Sequence, residues 1–279
     1  MDSAYVIADV FTDTPLEGNP LAVFTDARAI PPPRMQQIAR EMNLSETVFV
    51  LPASDGGDAR IRIFTPASEL PFAGHPTLGS ALVLAESRGG DLIRLETGAG
   101  MIPVEIQRED GRVVSGSMRQ PIPTWEPYQA AGELLVALGV ETSLLPVEVY
   151  RNGPRHVYVA LGSEEAVASL VPDLGALARL PDVGVNCFAG SGARWKTRMF
   201  APTYGVAEDP ATGSAAGPLA VHLARHGRIA FGQQIEIHQG AEIKRPSTLY
   251  ARVEGEGDRI DLVEVAGSAV VVAHGELHV

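Results

Sequence analysis

Three polar residues of the chain stand where chemistry can be done: Glu46 in Asn43-Leu44-Ser45-Glu46-Thr47, His75 in Ala73-Gly74-His75-Pro76, and Asp209 in Asp209-Pro210-Ala211-Thr212-Gly213-Ser214. Glu46 falls between a helix end and an apolar strand, so it is either a solvated edge charge or an acid/base. Against apolar walls its pKa would rise towards neutrality, letting it take and return a proton. His75 and Asp209 would then orient a polar substrate and steady charge on it. Gly74 and Gly213 each open an apolar helix, and a helix N-terminus carries unpaired amide donors and a partial positive charge that suit a carboxylate. Small residues at both openings leave the amides of Gly213 and Ser214 accessible to a ligand, or else serve only to let helix and strand pack closely.

These openings belong to an internal repeat. Arg62-Ile63-Phe64-Thr65-Pro66 precedes Gly74, and Arg198-Met199-Phe200-Ala201-Pro202 precedes Gly213. The offset between Gly74 and Gly213 also pairs Ile38-Ala39-Arg40 with Leu177-Ala178-Arg179, Phe49 with Phe188, and Glu46 with Val185. Two similar halves are therefore expected to face each other across a cleft into which only the first brings a carboxylate. Such a site has a single acid/base.

The elements that must position these residues are mostly strands. Apolar runs bounded by Gly and Pro mark Tyr5 to Phe11, Leu21 to Phe24, Thr47 to Leu51, Arg60 to Phe64, Leu92 to Glu96 and Ile102 to Gln107, interrupted by helices from about Arg34 to Met42 and Pro76 to Ser87. A Pro-rich connector, Gln120 to Pro127, separates the halves. The second half repeats the plan, with helices near Glu133 to Leu138, Glu164 to Leu170 and Ser214 to His226. The long helices carry Leu78, Leu82, Leu219 and Leu223 and are too apolar for a surface. The expectation is an α+β protein of two pseudo-symmetric lobes, each a mostly antiparallel sheet wrapped around a central apolar helix. The N-terminal lobe covers 1–119, the C-terminal lobe 128–268, and a strand at about 269–279 returns to the first.

The chain has 279 residues, 45% hydrophobic and 20% charged, with a formal net charge of -12. The acidic balance argues against nucleic acid as a partner. No apolar run approaches the roughly 20 residues of a membrane span, and the start Met1-Asp2-Ser3-Ala4-Tyr5 lacks the pattern of a signal peptide, so a cytoplasmic location is expected. One cysteine, Cys187, excludes an internal disulfide and reads as a small buried hydrophobe. His222 and His226 are spaced to share a metal, but no acidic third ligand follows them, and no nucleotide fingerprint occurs. Neither a metal nor a cofactor is expected.

Leu16-Glu17-Gly18-Asn19-Pro20, Glu41 to Glu46, Leu70 to Pro76, Asn152 to Val157 and Glu208 to Gly217 together resemble the PhzF family of phenazine-biosynthesis proteins from end to end. The resemblance implies a fold like that of diaminopimelate epimerase. Epimerases of that fold carry a cysteine before each helix-opening glycine, where this chain has Ala73 and Thr212, so a two-thiol racemisation is impossible. What the resemblance implies instead is the isomerisation of trans-2,3-dihydro-3-hydroxyanthranilate by a C3-to-C1 proton shift through Glu46 alone, without cofactor. Gly74, His75, Asp209, Gly213 and Ser214 would hold the amino acid portion, with Ser45 beside the base and Asn19 nearby. A homodimer is implied likewise. Another cofactor-free isomerase of a small amino or hydroxy acid, or a silent binding protein, are the alternatives.

Overall fold

A computed structural model describes residues 2–278. In chain order the first elements are β1 (Asp2–Val10), β2 (Asn19–Phe24), α1 (Pro32–Met42), β3 (Glu46–Leu51), β4 (Ala59–Phe64), β5 (Glu69–Leu70), α2 (Gly74–Arg88), β6 (Leu92–Thr97), β7 (Gly100–Glu109) and β8 (Arg112–Arg119). Next come β9 (Thr124–Pro127), α3 (Ala131–Leu138), β10 (Glu148–Arg151), β11 (Arg155–Ala160), α4 (Glu164–Ala168), α5 (Leu174–Leu177), β12 (Gly184–Ser191), β13 (Arg194–Ala201) and β14 (Val206–Asp209). The chain closes with α6 (Gly213–Arg225), β15 (Gln234–Gln239), β16 (Ser247–Glu256), β17 (Arg259–Gly267) and β18 (Ala269–His278). The chain divides into two compact units, Met1–Arg119 with Ala266–Val279, and Gln120–Val265.

In the first unit β1 lies antiparallel to both β18 and β2. The ladder continues with β2 parallel to β3 and β3 antiparallel to β4. Strand β4 is flanked by antiparallel β5 and parallel β6, and β6, β7 and β8 follow antiparallel to one another. The second unit uses the same plan with other strands. There β9, β10 and β11 are antiparallel, β11 is parallel to β12, and β12 is antiparallel to β13. Strand β13 takes antiparallel β14 and parallel β15, and β15 is antiparallel to β16. The Pro-rich connector therefore contributes a strand, β9, to the second unit. Its prolines stand at the ends of that strand or before it, where a missing N–H is tolerated.

Each unit wraps its sheet around a buried helix. Eleven residues of α2, from Gly74 to Ala85, are buried, and α6 is buried from Gly213 to Ala224. The remaining core of the first unit includes an aromatic row, Tyr5, Phe24, Phe49 and Phe64, with successive ring centroids 5.4, 5.0 and 5.5 Å apart. In the second unit Val157, Val159, Val185, Cys187 and Phe200 pack with the shorter helices. Burial pushes the Cys187 thiol up to about 12, so it packs as an uncharged group.

The repeated Arg-x-Phe phrase has a structural explanation. Arg62 grips Glu69 with two hydrogen bonds of 2.7 Å and lies 5.0 Å over the Phe64 ring. Arg198 grips Glu208 at 2.8 and 2.7 Å and lies 4.9 Å over Phe200. In both units the fork pins the short strand, β5 or β14, that leads into the buried helix.

Register also corrects the pairing of Glu46 with Val185. Thr47 pairs with Phe64 and Val185 pairs with Phe200, and the two phenylalanines are equivalent in the repeated phrase. Val185 therefore matches Thr47, and Glu46 matches Gly184. The offset is not constant because the loops of the two units differ in length, which a single sequence shift cannot show.

Candidate active site

Asn43 places Glu46. It ends α1 in the left-handed conformation, φ 50°, which asparagine tolerates better than most residues. Three residues later β3 begins with Glu46, paired in parallel with Leu21. Asn19 is delivered by a tight turn in which Gly18 has φ +65° and backs onto the Val10 carbonyl, leaving no room for a side chain. His75 is the second residue of α2. These three chain segments converge: His75 Nδ1 is 3.3 Å from Asn19 Nδ2 and 3.5 Å from Glu46 Oε2.

The imidazole is neutral. Burial pushes His75 down to about 3, so its contact with Glu46 is not an ion pair at pH 7 despite the distance. Nδ1 faces both the Asn19 amide and the Glu46 carboxylate, so this ring nitrogen is the one engaged within the protein. Nε2 is buried and has no hydrogen-bond partner among the described residues. A buried ring nitrogen in this state is one that a ligand can satisfy. Gly74 lies beside it, and Ala73, which precedes α2, supplies no side-chain cap for the first-turn amides. Ser45 immediately precedes Glu46 in the chain.

In the second unit the corresponding helix opening is built more elaborately. Three side chains hold consecutive carbonyls at the start of α6: Gln120 Nε2 donates to Gly213 O at 2.8 Å, Asn152 Nδ2 to Ser214 O at 2.9 Å, and Tyr158 OH to Ala215 O at 2.7 Å. Thr212 precedes the helix but does not cap it. Its hydroxyl donates instead to Asp209 Oδ2 at 2.5 Å, and Gln239 Nε2 bridges Asp209 O and Thr212 Oγ1 at 2.8 and 2.9 Å. The Asp209 loop is thereby fixed while the Gly213 and Ser214 amides, at the opening of the helix, have no intrahelical acceptor. Neither opening carries an acidic residue in its first turn.

The structure thus brings Asn19, Glu46 and His75 together beside Gly74 in one unit, and Asp209, Gly213 and Ser214 together in the other. Gln120, Asn152, His156, Asn186 and Gln239 are polar, buried and escaped the reading of the sequence as site-forming residues. Asn152 and His156 lie in a conspicuous Asn-Gly-Pro-Arg-His run, which is the signal that was available.

His222 and His226 do meet an acid. Glu148 of β10 lies 3.2 Å from His222 Nδ1 and 3.0 Å from His226 Nε2, so the third ligand missing from the local sequence is supplied from far upstream. The same carboxylate oxygen also accepts from Arg225 Nη1 and the Tyr150 hydroxyl, both at 2.9 Å. Burial opposes its ionisation, but these four partners outweigh burial and hold Glu148 well below the usual carboxylate range. Arg225 thus brings a positive charge to the carboxylate that both histidines meet.

The two units, each with a sheet around a buried helix whose uncapped opening faces polar side chains, make a fold also found in solved epimerase structures. A hydroxyproline epimerase from Agrobacterium vitis shares this fold with a TM-score of 0.69, at 14% identity and over 99% of this chain and 91% of the other. The chain belongs to the phenazine biosynthesis-like protein family, whose model matches residues 8–275. A PhzF-family protein from Bacillus anthracis superposes with a TM-score of 0.87, at 26% identity over the whole of both chains. Trans-2,3-dihydro-3-hydroxyanthranilate isomerase from Pseudomonas aeruginosa is 57% identical over 274 residues, covering 98% of this chain and 99% of that protein. The Pseudomonas fluorescens isomerase is 56% identical, with 98% of each chain covered.

Proposed function

We propose that this chain is a trans-2,3-dihydro-3-hydroxyanthranilate isomerase of phenazine biosynthesis. The observation that carries the reading is Glu46 set beside a neutral imidazole whose Nε2 has no partner among the described residues, in a chain similar to such isomerases from end to end. Glu46 takes the proton from C3 of the ring, the C–H electrons shift the double bonds, and the same group returns a proton to C1. The resulting enol relaxes to an aminoketone. No atom is gained or lost, and no electron acceptor is needed.

His75 meets a polar group of the substrate through Nε2, while Asn19 and Glu46 hold the ring by its Nδ1 side. The amino acid portion of the substrate is held by Gly74, Asp209, Gly213 and Ser214, its carboxylate receiving the first-turn amides of α6. The protein acts as a cytoplasmic homodimer. A racemase on the same scaffold would need a second base, and Gly184 in the position equivalent to Glu46 has no side chain to provide one.

Incubating the purified protein with the substrate and following its absorbance tests the activity. Glu46→Gln keeps the shape but cannot accept a proton, and turnover is expected to fall by about 10² to 10⁴ with binding of 3-hydroxyanthranilate retained. Near-normal turnover in that variant removes Glu46 from the mechanism.

A further inference from the structure

Each unit has a polar pair joining its sheet to its helix opening, and in the second unit that pair, buried throughout, has no assigned role. Helix residue His75 meets Glu46 in the first unit. The equivalent helix residue, Ser214, meets His156: Ser214 Oγ is 3.0 Å from His156 Nε2. His156 pairs with Gly184 across the parallel strands, as Leu21 pairs with Glu46. A Cβ on Gly184 would lie 3.3 Å from His156 Nδ1 and 2.5 Å from Met199 Cε. The space that a carboxylate side chain takes in one unit is thus filled in the other by the Met199 methyl and the His156 imidazole.

The protons on that imidazole are determined. His156 is 1% exposed, and burial pushes it down to about 3, so it carries one ring proton at neutral pH. Asn186 Nδ2 stands 3.5 Å from Nδ1, and the same nitrogen donates to Gly184 O at 3.3 Å. The carbonyl fixes which end of the amide faces inward, so Nδ1 is an acceptor and the proton is on Nε2. Nε2–H donates to Ser214 Oγ. A hydroxyl that accepts from His156 has its own proton left to give.

We infer that His156 is a positioning residue: it fills the acceptor side of Ser214 Oγ and turns the hydroxyl into an oriented donor for the substrate carboxylate. The inference rests on the reading of Ser214 as a substrate contact. Three donors then converge on one anion, two amides and a hydroxyl, with only the hydroxyl able to turn away. His156 and Asn186 remove that freedom before the substrate arrives, which lowers the ordering cost of binding.

The test compares wild type, His156→Leu, His156→Gln, Ser214→Ala and the His156→Leu/Ser214→Ala double variant by 3-hydroxyanthranilate affinity and by steady-state kinetics. His156→Leu is expected to raise Kd and KM about tenfold, the scale of one lost hydrogen bond to a charged group, while kcat stays within about twofold. His156→Gln, which places an amide N–H near the Nε2 position, should recover most of the loss. In the Ser214→Ala background His156→Leu should add less than about twofold, because its effect passes through the hydroxyl. Losses that add, a fall in kcat with KM unchanged, or unaltered affinity in His156→Leu while Ser214→Ala binds weakly each overturn the inference. Full affinity in Ser214→Ala would remove Ser214 from the substrate and overturn both this and the reading beneath it. Should the leucine variant fail to fold, His156→Gln and His156→Asn decide. The asparagine amide reaches only the Nδ1 position, so equal affinities for the two overturn the inference.

Discussion

Thr212 satisfies two buried groups at once, donating to Asp209 Oδ2 and accepting from Gln239 Nε2. Thr212→Val keeps the shape and removes both bonds. Loss of about 1–3 kcal/mol is expected from the groups left without this partner, read as a lower urea midpoint, together with weaker binding of 3-hydroxyanthranilate as the Asp209 loop loosens. Unchanged stability and affinity would show that Gln239 alone fixes the loop. Glu46, His75 and Asp209 could be picked out in the sequence because each sits at a boundary between an element and a small-residue loop. His156 could not, because its significance lies in facing Gly184 across two parallel strands, and register between strands far apart in sequence leaves no local mark. The same blindness paired Glu46 with Val185. His222 and His226 were visible as an i, i+4 pair, yet the partner that decides their chemistry, Glu148, is 74 residues before the first of them.

The two buried helices show how close packing fixes the element they belong to. Gly79 of α2 faces β1 and β2 so closely that a Cβ there would lie 2.6 Å from Val10 Cγ2 and 2.8 Å from Leu21 Cδ2. Leu21 pairs with Glu46, so a shift there moves that carboxylate. Gly79→Ala should cost about 1–3 kcal/mol by overpacking and lower turnover. Gly132 of α3 is the control, since a Cβ at that position meets nothing within 4 Å. Gly132→Ala should leave activity unchanged and add roughly 0.5 kcal/mol by restricting the unfolded chain. Equal urea midpoints for the two variants would contradict the packing account. Periodicity revealed both long helices and their apolar character, because a helix buried on all sides needs no polar face. It missed α5, the strands β8, β9 and β15, and the short strands β5 and β14, the last two pinned by side-chain forks, Arg62 with Glu69 and Arg198 with Glu208.

Acid should destabilise the molecule well before most of its carboxylates titrate. Burial lowers His75 and His156 to about 3 and lowers His222 in the same direction, whereas in the unfolded chain histidine titrates near 6.5. Between those values the unfolded state binds protons that the folded state refuses, so stability falls as pH falls from about 6.5 towards 3. His75 and His156 together give a slope of roughly 2.7 kcal/mol per pH unit at most, or about 3–4 kcal/mol between pH 7 and pH 5. Glu148, held ionised in the fold, adds a further loss below the ordinary glutamate range. Urea midpoints measured from pH 7 to pH 4 check the sign and the window, and a midpoint that is flat down to pH 5 would mean that the histidines are protonated in the native state.

Strand β18 also sets the order in which the chain becomes complete. It covers one edge of β1, from the pairing of Asp2 with His278 to that of Val10 with Ala269, yet it leaves the ribosome only after the whole of the second unit. At about 5–20 residues per second that interval is on the order of ten seconds. The second unit, Gln120–Val265, is contiguous and can assemble as it emerges. The first, which carries Glu46, must wait with the edge of β1 open. An exposed strand edge is a template for pairing with another chain, so the nascent protein is most vulnerable to misassociation in the unit that is made first and finished last.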